Sequence, residues 1–172
     1  MKKAIIILSI ITGIFVTNDL TKEKVVIPKE SIRFRVIANS NTEADQALKI
    51  KVRNSLDKEL EKILENQNNI QKAKQSIKNN LPLLEQTIKN TLKENNSNIK
   101  YTINYGNNYF PSKSYKGVVY NAGNYESLVV KLGKAEGNNF WCVLFPPLCL
   151  VDENTTDTEY HILVKDLLKK YF

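Results

Sequence analysis

The sequence predicts an α+β fold in two layers: a mainly antiparallel sheet covered on one face by two long helices, with a further helix at the C-terminus. Three observations predict it. Between Glu43 and Leu92 the apolar residues recur at three- and four-residue steps, the period of an amphipathic helix. Around Ile32–Ala38 and again from Asn98 to Phe145 the period falls to two, that of a half-buried strand. The later strand candidates are joined by short Gly/Asn turns, which favour antiparallel neighbours over parallel crossovers. At 172 residues there is room for one domain. We read 1–20 as a signal peptide or uncleaved N-terminal anchor, 21–31 as a linker and 32–172 as a single α+β domain.

Each element has a local cause. Met1-Lys2-Lys3 precedes an unbroken apolar run from Ala4 to Val16, shorter than the ~20 residues of a membrane span and of the length of a signal-peptide core. Val25-Val26-Ile27 forms one short extended piece before Pro28. In Ile32-Arg33-Phe34-Arg35-Val36-Ile37-Ala38, apolar residues alternate with arginine, so Ile32, Phe34 and Val36 are expected to face the core and Arg33 and Arg35 the solvent. Asn39-Ser40-Asn41-Thr42 turns the chain into a helix from about Glu43 to Glu65, capped by Ser40 with Glu43 or by Thr42 with Asp45. Gln67-Asn68-Asn69 breaks it. A second helical pattern runs through Ile70, Ala73, Ile77, Leu81, Leu84, Ile88 and Leu92, with a kink or restart at Pro82.

Strands are then expected at Ile99–Tyr105, Tyr115–Tyr120 and Ser127–Leu132, separated by Gly106-Asn107-Asn108 and Asn121-Ala122-Gly123-Asn124. The stretch GKAEGNNFWCVLFPPLCL, Gly133 to Leu150, follows. Its Phe140–Phe145 run reads as a strand buried on both faces and stopped by Pro146-Pro147, which have no N–H to donate. Ile162, Leu163, Leu167, Leu168 and Phe172 give the terminal helix.

Composition narrows the function. The net charge of +7 comes from lysine, since Arg33, Arg35 and Arg53 are the only arginines. Base and phosphate recognition favours arginine, so the charge fits a solvated surface or weak attraction to anionic lipid and wall polymers, and no nucleic-acid partner is expected. His161 is the only histidine, and no Cys or His pair has metal-ligand spacing, so neither a metal nor a cofactor is expected. Gly133-Lys134-Ala135-Glu136-Gly137 lacks the phosphate-loop pattern. Tyr101, Tyr105, Tyr109, Phe110, Tyr115, Tyr120 and Tyr125 form an aromatic-rich region that suits sheet packing or a recognition surface. Cys142 and Cys149 leave two arrangements open. A disulfide would close a short loop around Pro146-Pro147, worth roughly 2.5 kcal/mol; a strand-buried Cys142 pointing away would leave two thiols.

The segments IRFRVIANSNTEADQALKIKVRNSL (Ile32 to Leu56) and FPSKSYKGVVYNAGNYESLVVKLGKAEGNNFWCVLFPPLCLVD (Phe110 to Asp152) resemble the stage II sporulation protein R family. The resemblance implies a signalling protein, not an enzyme. It is made in the forespore and exported into the space between the forespore and mother-cell membranes. There it switches on a membrane-embedded aspartyl protease that processes a sigma-factor precursor. No active-site residues come with it. The opposing reading is an extracytoplasmic hydrolase of wall or peptide with Glu136 or a cysteine as catalyst. The lone His161 and the unpaired Glu136 argue against that. Loops held by a rigid sheet commonly carry binding residues. The partner contact is therefore expected at Glu136, Asn138 and Asn139 with Pro146 and Pro147, and Arg33 and Arg35 form a second candidate face.

Export is directly testable. Replacing Lys2-Lys3 and charging the Ile5–Leu8 run should hold the protein in the cytosol, as read by fractionation of the producing cells; undiminished release from such cells would refute the targeting role.

Overall fold

The computed structural model describes residues 25–151 and 154–172, so the segment expected to direct export lies outside the described residues. The α+β class is as expected. A four-stranded sheet is built from β2 (Ile32–Ile37), β3 (Tyr101–Phe110), β6 (Gly123–Leu132) and β7 (Asn139–Phe145), in the order β3-β6-β2-β7. One face carries α1 (Glu43–Leu64), α2 (Ile70–Asn79) and α3 (Leu81–Glu94). A smaller sheet, β1-β5-β4, combines β1 (Val25–Val26), β4 (Lys113–Tyr115) and β5 (Val118–Tyr120). With α4 (Asp157–Tyr171) it builds a second core around Val25, Ile27, Val118, Tyr160 and Val164. Within the stretch read as a linker, β1 thus pairs with β5 and buries Val25 and Ile27.

The main core lies between the sheet and the helices. Phe34 and Val36 of β2 and Leu128 and Val130 of β6 meet Val52 and Leu56 of α1, Ile77 of α2 and Leu84 and Ile88 of α3, all fully buried. Truncating any of these large side chains to alanine should cost about 2–5 kcal/mol, because a close-packed site refills a cavity only in part. The predicted second helix is two helices. Asn80 ends α2 and is followed by Pro82 in the first turn of α3, where the missing N–H breaks no helical bond. Thr42, not Ser40, caps α1: its hydroxyl accepts from Asp45 N at 3.3 Å. Ser40 instead donates to the Asp45 carboxylate at 2.5 Å.

Four expectations are corrected. The strand arrangement is not a simple meander, because β2 enters between β6 and β7, parallel to β6 and antiparallel to β7. In consequence the Phe140–Phe145 run, expected to be buried on both faces, forms most of an edge strand paired among the described residues only with β2, and β2 is the strand buried on both faces. Gly106-Asn107-Asn108 does not turn the chain; β3 continues through it, with Gly106 opposite Ser127 and the Asn108 amide donating to Ser127 Oγ at 3.0 Å. Tyr115–Tyr120 is not one strand, for Lys116 (φ 48°) and Gly117 (φ 76°) make a tight hairpin between β4 and β5.

Placing β2 between β6 and β7 forces the connection 133–138 to cross the end of β2. It is tied there by backbone bonds from Glu136 N to Asn39 O (3.1 Å) and from Gly137 N to Ala38 O (3.0 Å). The side chains of Asn39 and Asn41 accept from Lys134 N (2.9 Å) and Asn138 N (2.7 Å). The loop lies so close that a Cβ at Gly137 would sit 2.2 Å from Ser40 O. Gly137→Ala should therefore lower stability by about 3 kcal/mol in a denaturant titration with an unchanged slope. Gly106→Ala, whose nearest neighbour would be 3.7 Å away, should leave the midpoint nearly unmoved. Equal effects of the two substitutions would contradict the close crossing.

Candidate functional site

The side of the sheet turned away from the helices holds an unusual concentration of cation and aromatic surface. On β2 the period-two alternation sends Arg33, Arg35 and Ile37 to this face. Arg33 does not reach solvent as expected and Arg35 does so only in part, because Phe110 at the end of β3, Tyr125 on β6 and Trp141 on β7 close over them. Arg33 is 2% exposed, and its guanidinium carbon lies 3.4 Å from the centre of the Tyr125 ring. Arg35 lies 5.0 Å from Phe110 and 5.4 Å from Trp141. The rings brace one another edge to face, Phe110–Trp141 at 5.2 Å and Phe110–Tyr125 at 6.2 Å. Burial lowers the pKa of both guanidiniums, in Arg33 against the opposing pull of the Tyr125 and Tyr120 hydroxyls. Both remain cations at any ordinary pH.

A cavity of about 310 Å³ opens beside this cluster. Five consecutive residues, Asn139 to Val143, line it. Neighbouring side chains of a strand point to opposite faces, so a cavity touching all five runs along the free edge of β7. Arg33, Lys113, Tyr120 and Tyr160 form one wall, and Arg53 and Phe140 belong to the helix side. Tyr120 and Tyr160 share a hydroxyl–hydroxyl hydrogen bond of 2.7 Å that fixes the far wall. Burial raises both phenol pKa values. Cys142 and Cys149 are joined as a disulfide with Cα atoms 5.4 Å apart, which pins the segment after Phe145 to the strand. Neither sulfur is then available as a thiol nucleophile.

The sequence-predicted residues fall in different places. Arg33 and Asn139 line the cavity, and Arg35 stands next to it against Trp141. Glu136 and Asn138 lie in the crossing loop with exposed side chains, while their backbone groups hold the end of β2. Asn138 O also accepts from Lys49 Nζ at 3.2 Å. Pro146 is buried after a cis Phe145–Pro146 bond, and Pro147 lines a second cavity of about 210 Å³ bounded by Asp57, Leu60 and Tyr171. Sequence reasoning missed Arg53, Lys113 and Tyr160 as neighbours of this site. Only the aromatic richness of Phe110 to Tyr125 hinted at it. Among the described residues no group of three His, Cys, Asp or Glu side chains could hold a metal ion, and no helix is long and apolar enough to cross a membrane.

A family model described as stage II sporulation protein R matches residues 28–155, which include the crossing loop and every lining residue of the cavity except Tyr160. The stage II sporulation protein R of Bacillus subtilis (strain 168) is 36% identical over 130 residues, 76% of this chain and 58% of that relative. The match thus spans little more than half of the relative's length. No solved structure is significantly similar.

Asp57, in the lining of the second cavity, gives the region a pH signature. Burial lifts its carboxyl to about 6, against the pull of Arg53, whose Nη1 lies 3.4 Å from Asp57 Oδ2. The folded pKa lies above the unfolded one, so this contribution to stability is complete below about pH 4 and is lost as pH rises through 6. Asp57→Asn should therefore gain on the wild type by on the order of 2 kcal/mol between pH 4 and pH 7. Melting curves across that range measure it; a stability difference independent of pH would show that Asp57 titrates normally.

Proposed function

Because the chain belongs to the stage II sporulation protein R family, we propose that it is an exported signal of endospore formation. In this reading it acts between the forespore and mother-cell membranes by binding a membrane-embedded aspartyl protease, which then processes a mother-cell sigma-factor precursor. The match over residues 28–155 carries the proposal. The charged start and apolar run before it suit export, and the family's name denotes a sporulation protein and no reaction.

A binding protein can activate an enzyme only through a higher affinity for the active state than for the inactive one. Moving the protease from mostly off to mostly on needs about 3–5 kcal/mol of such preference. A few aromatic and arginine anchors at the centre of an interface can supply that much. The groove along β7 offers Trp141, Tyr115 and Arg33 within one concave surface. The hydrolase reading is weaker, since the cysteines are bonded to each other and Glu136 is exposed on the crossing loop.

Co-expression of the full chain with the protease and the precursor in a non-sporulating host tests this. Cleavage of the precursor should appear with the exported chain and vanish when Lys2-Lys3 and the Ile5–Leu8 run are replaced. Cleavage of equal extent without the chain, or with the chain trapped inside, would defeat the proposal.

A further inference from the structure

Buried charges are ordinarily paired, because transferring an ion out of water is costly and only an opposite charge or a full set of hydrogen bonds compensates. Arg33 departs from that rule. It is 98% removed from solvent, yet among the described residues its Nε and Nη2 have no hydrogen-bond partner. Arg35 Nε is equally unsatisfied, and so is Asn139 Oδ1. Stacking on Tyr125 engages only the face of the Arg33 guanidinium. The N–H donors lie in the guanidinium plane, where Nε and Nη2 are buried and lack an acceptor among the described residues. The cavity that Arg33 lines has Arg53 and Lys113 in its wall and no carboxylate among the described lining residues.

We propose that the groove is an acidic-peptide site: an extended segment of the partner protein lies along the free edge of β7 and places an Asp or Glu carboxylate on Arg33. The occupant follows from three features. A carboxylate matches the fork of a guanidinium in a bidentate pair and completes its unsatisfied donors. Among the described residues the edge of β7 away from β2 carries no strand, so its backbone groups can take an added one. Residues Phe110, Trp141 and Tyr160 supply apolar walls for the side chains flanking the carboxylate. The cationic lining favours an acidic segment over a neutral or basic one. This deepens the activator reading by naming the chemistry of the contact, and it rests on that reading only for the identity of the partner.

Trp141, the only tryptophan of the chain, lines the groove and serves as the reporter. The full chain is titrated with acetyl-Thr-Val-Glu-Val-Thr-amide and with its Gln counterpart. The Glu peptide should give a saturable change in tryptophan fluorescence, with the Gln peptide at least about tenfold weaker. Arg33→Met should weaken the Glu peptide by about tenfold or more, and Arg33→Lys by less, since lysine keeps the charge and loses the fork. Should Arg33→Met fail to fold, Asn139→Asp provides the second test: it gives the groove its own carboxylate and should abolish the preference for Glu over Gln. Equal binding of the two peptides, or no saturable response to either, overturns the site. So does inorganic phosphate giving the same response at the same concentration, which would make it a pocket for a small free anion. In the co-expression host, precursor cleavage undiminished by Arg33→Met would overturn this inference and leave the activator reading standing. Peptide binding without any cleavage would do the reverse.

Discussion

The crossing of β2 by the 133–138 loop is the constraint on which the structure depends. With β2 seated between β6 and β7, the chain leaving β6 must pass over the β2 terminus to reach the far side. The turn Asn39–Thr42 serves as the anchor for that passage. It receives Lys134, Glu136 and Asn138 through backbone N–H groups, caps α1 and positions Asp45, whose carboxylate accepts from Asn39 Nδ2 at 2.8 Å. The Ser40 and Asn39 donors hold that carboxylate below its usual pKa range. One short polar segment thereby sets the register of a central strand, the start of a helix and the entry of an edge strand. Glycine at 133 and 137 is what lets the backbones meet: Gly133 has φ 56°, and a Cβ there would lie 2.2 Å from Asn39 Oδ1.

That arrangement also decides where charge goes. A two-layer sheet with one wet face would have left Arg33 and Arg35 in water. Instead the long β3 strand carries Phe110 across to the face opposite the helices, β6 brings Tyr125, and β7 brings Trp141. Cations are enclosed by rings whose negative faces offset part of the desolvation cost, and the remainder is left as unsatisfied donors. A core meant only for stability is better served by apolar residues of similar volume. In the proposed reading the charged box and the edge of β7 form one recognition surface. A protein acting by binding needs such a rigid concave patch with polar groups left for its partner.

The disulfide shows how the same edge is managed. An exposed edge strand invites pairing with any passing chain. Here the Cys142–Cys149 bridge and the packing of Leu148 hold the following segment against the far end of β7, leaving the Asn139–Val143 portion beside the groove. The crossing loop limits the other end. Access is restricted to a stretch of a few residues, a geometry suited to one short segment and ill suited to sheet-by-sheet aggregation.

Much of the fold was legible in the sequence because its determinants are local. The apolar periods of α1 and α3, the asparagine break before α2, the restart near Pro82 and the C-terminal helix all follow from side-chain spacing and backbone stereochemistry. The family could be read from two contiguous segments. What the sequence could not determine was which strand stands at the centre. Phe140–Phe145 is more apolar than Ile32–Ala38, yet it is the edge, because pairing order depends on contacts about a hundred residues apart. The burial of Arg33 could not be foreseen either: an arginine alternating with apolar residues has the same local signature whether its face meets water or rings from three other strands. Of the candidate site, Arg33 and Asn139 were singled out in the sequence, but their meeting with Arg53, Lys113 and Tyr160 exists only once β2 has been inserted between β6 and β7. Periodicity fixes which residues share a face of an element; only the long-range pairing of elements decides what that face confronts.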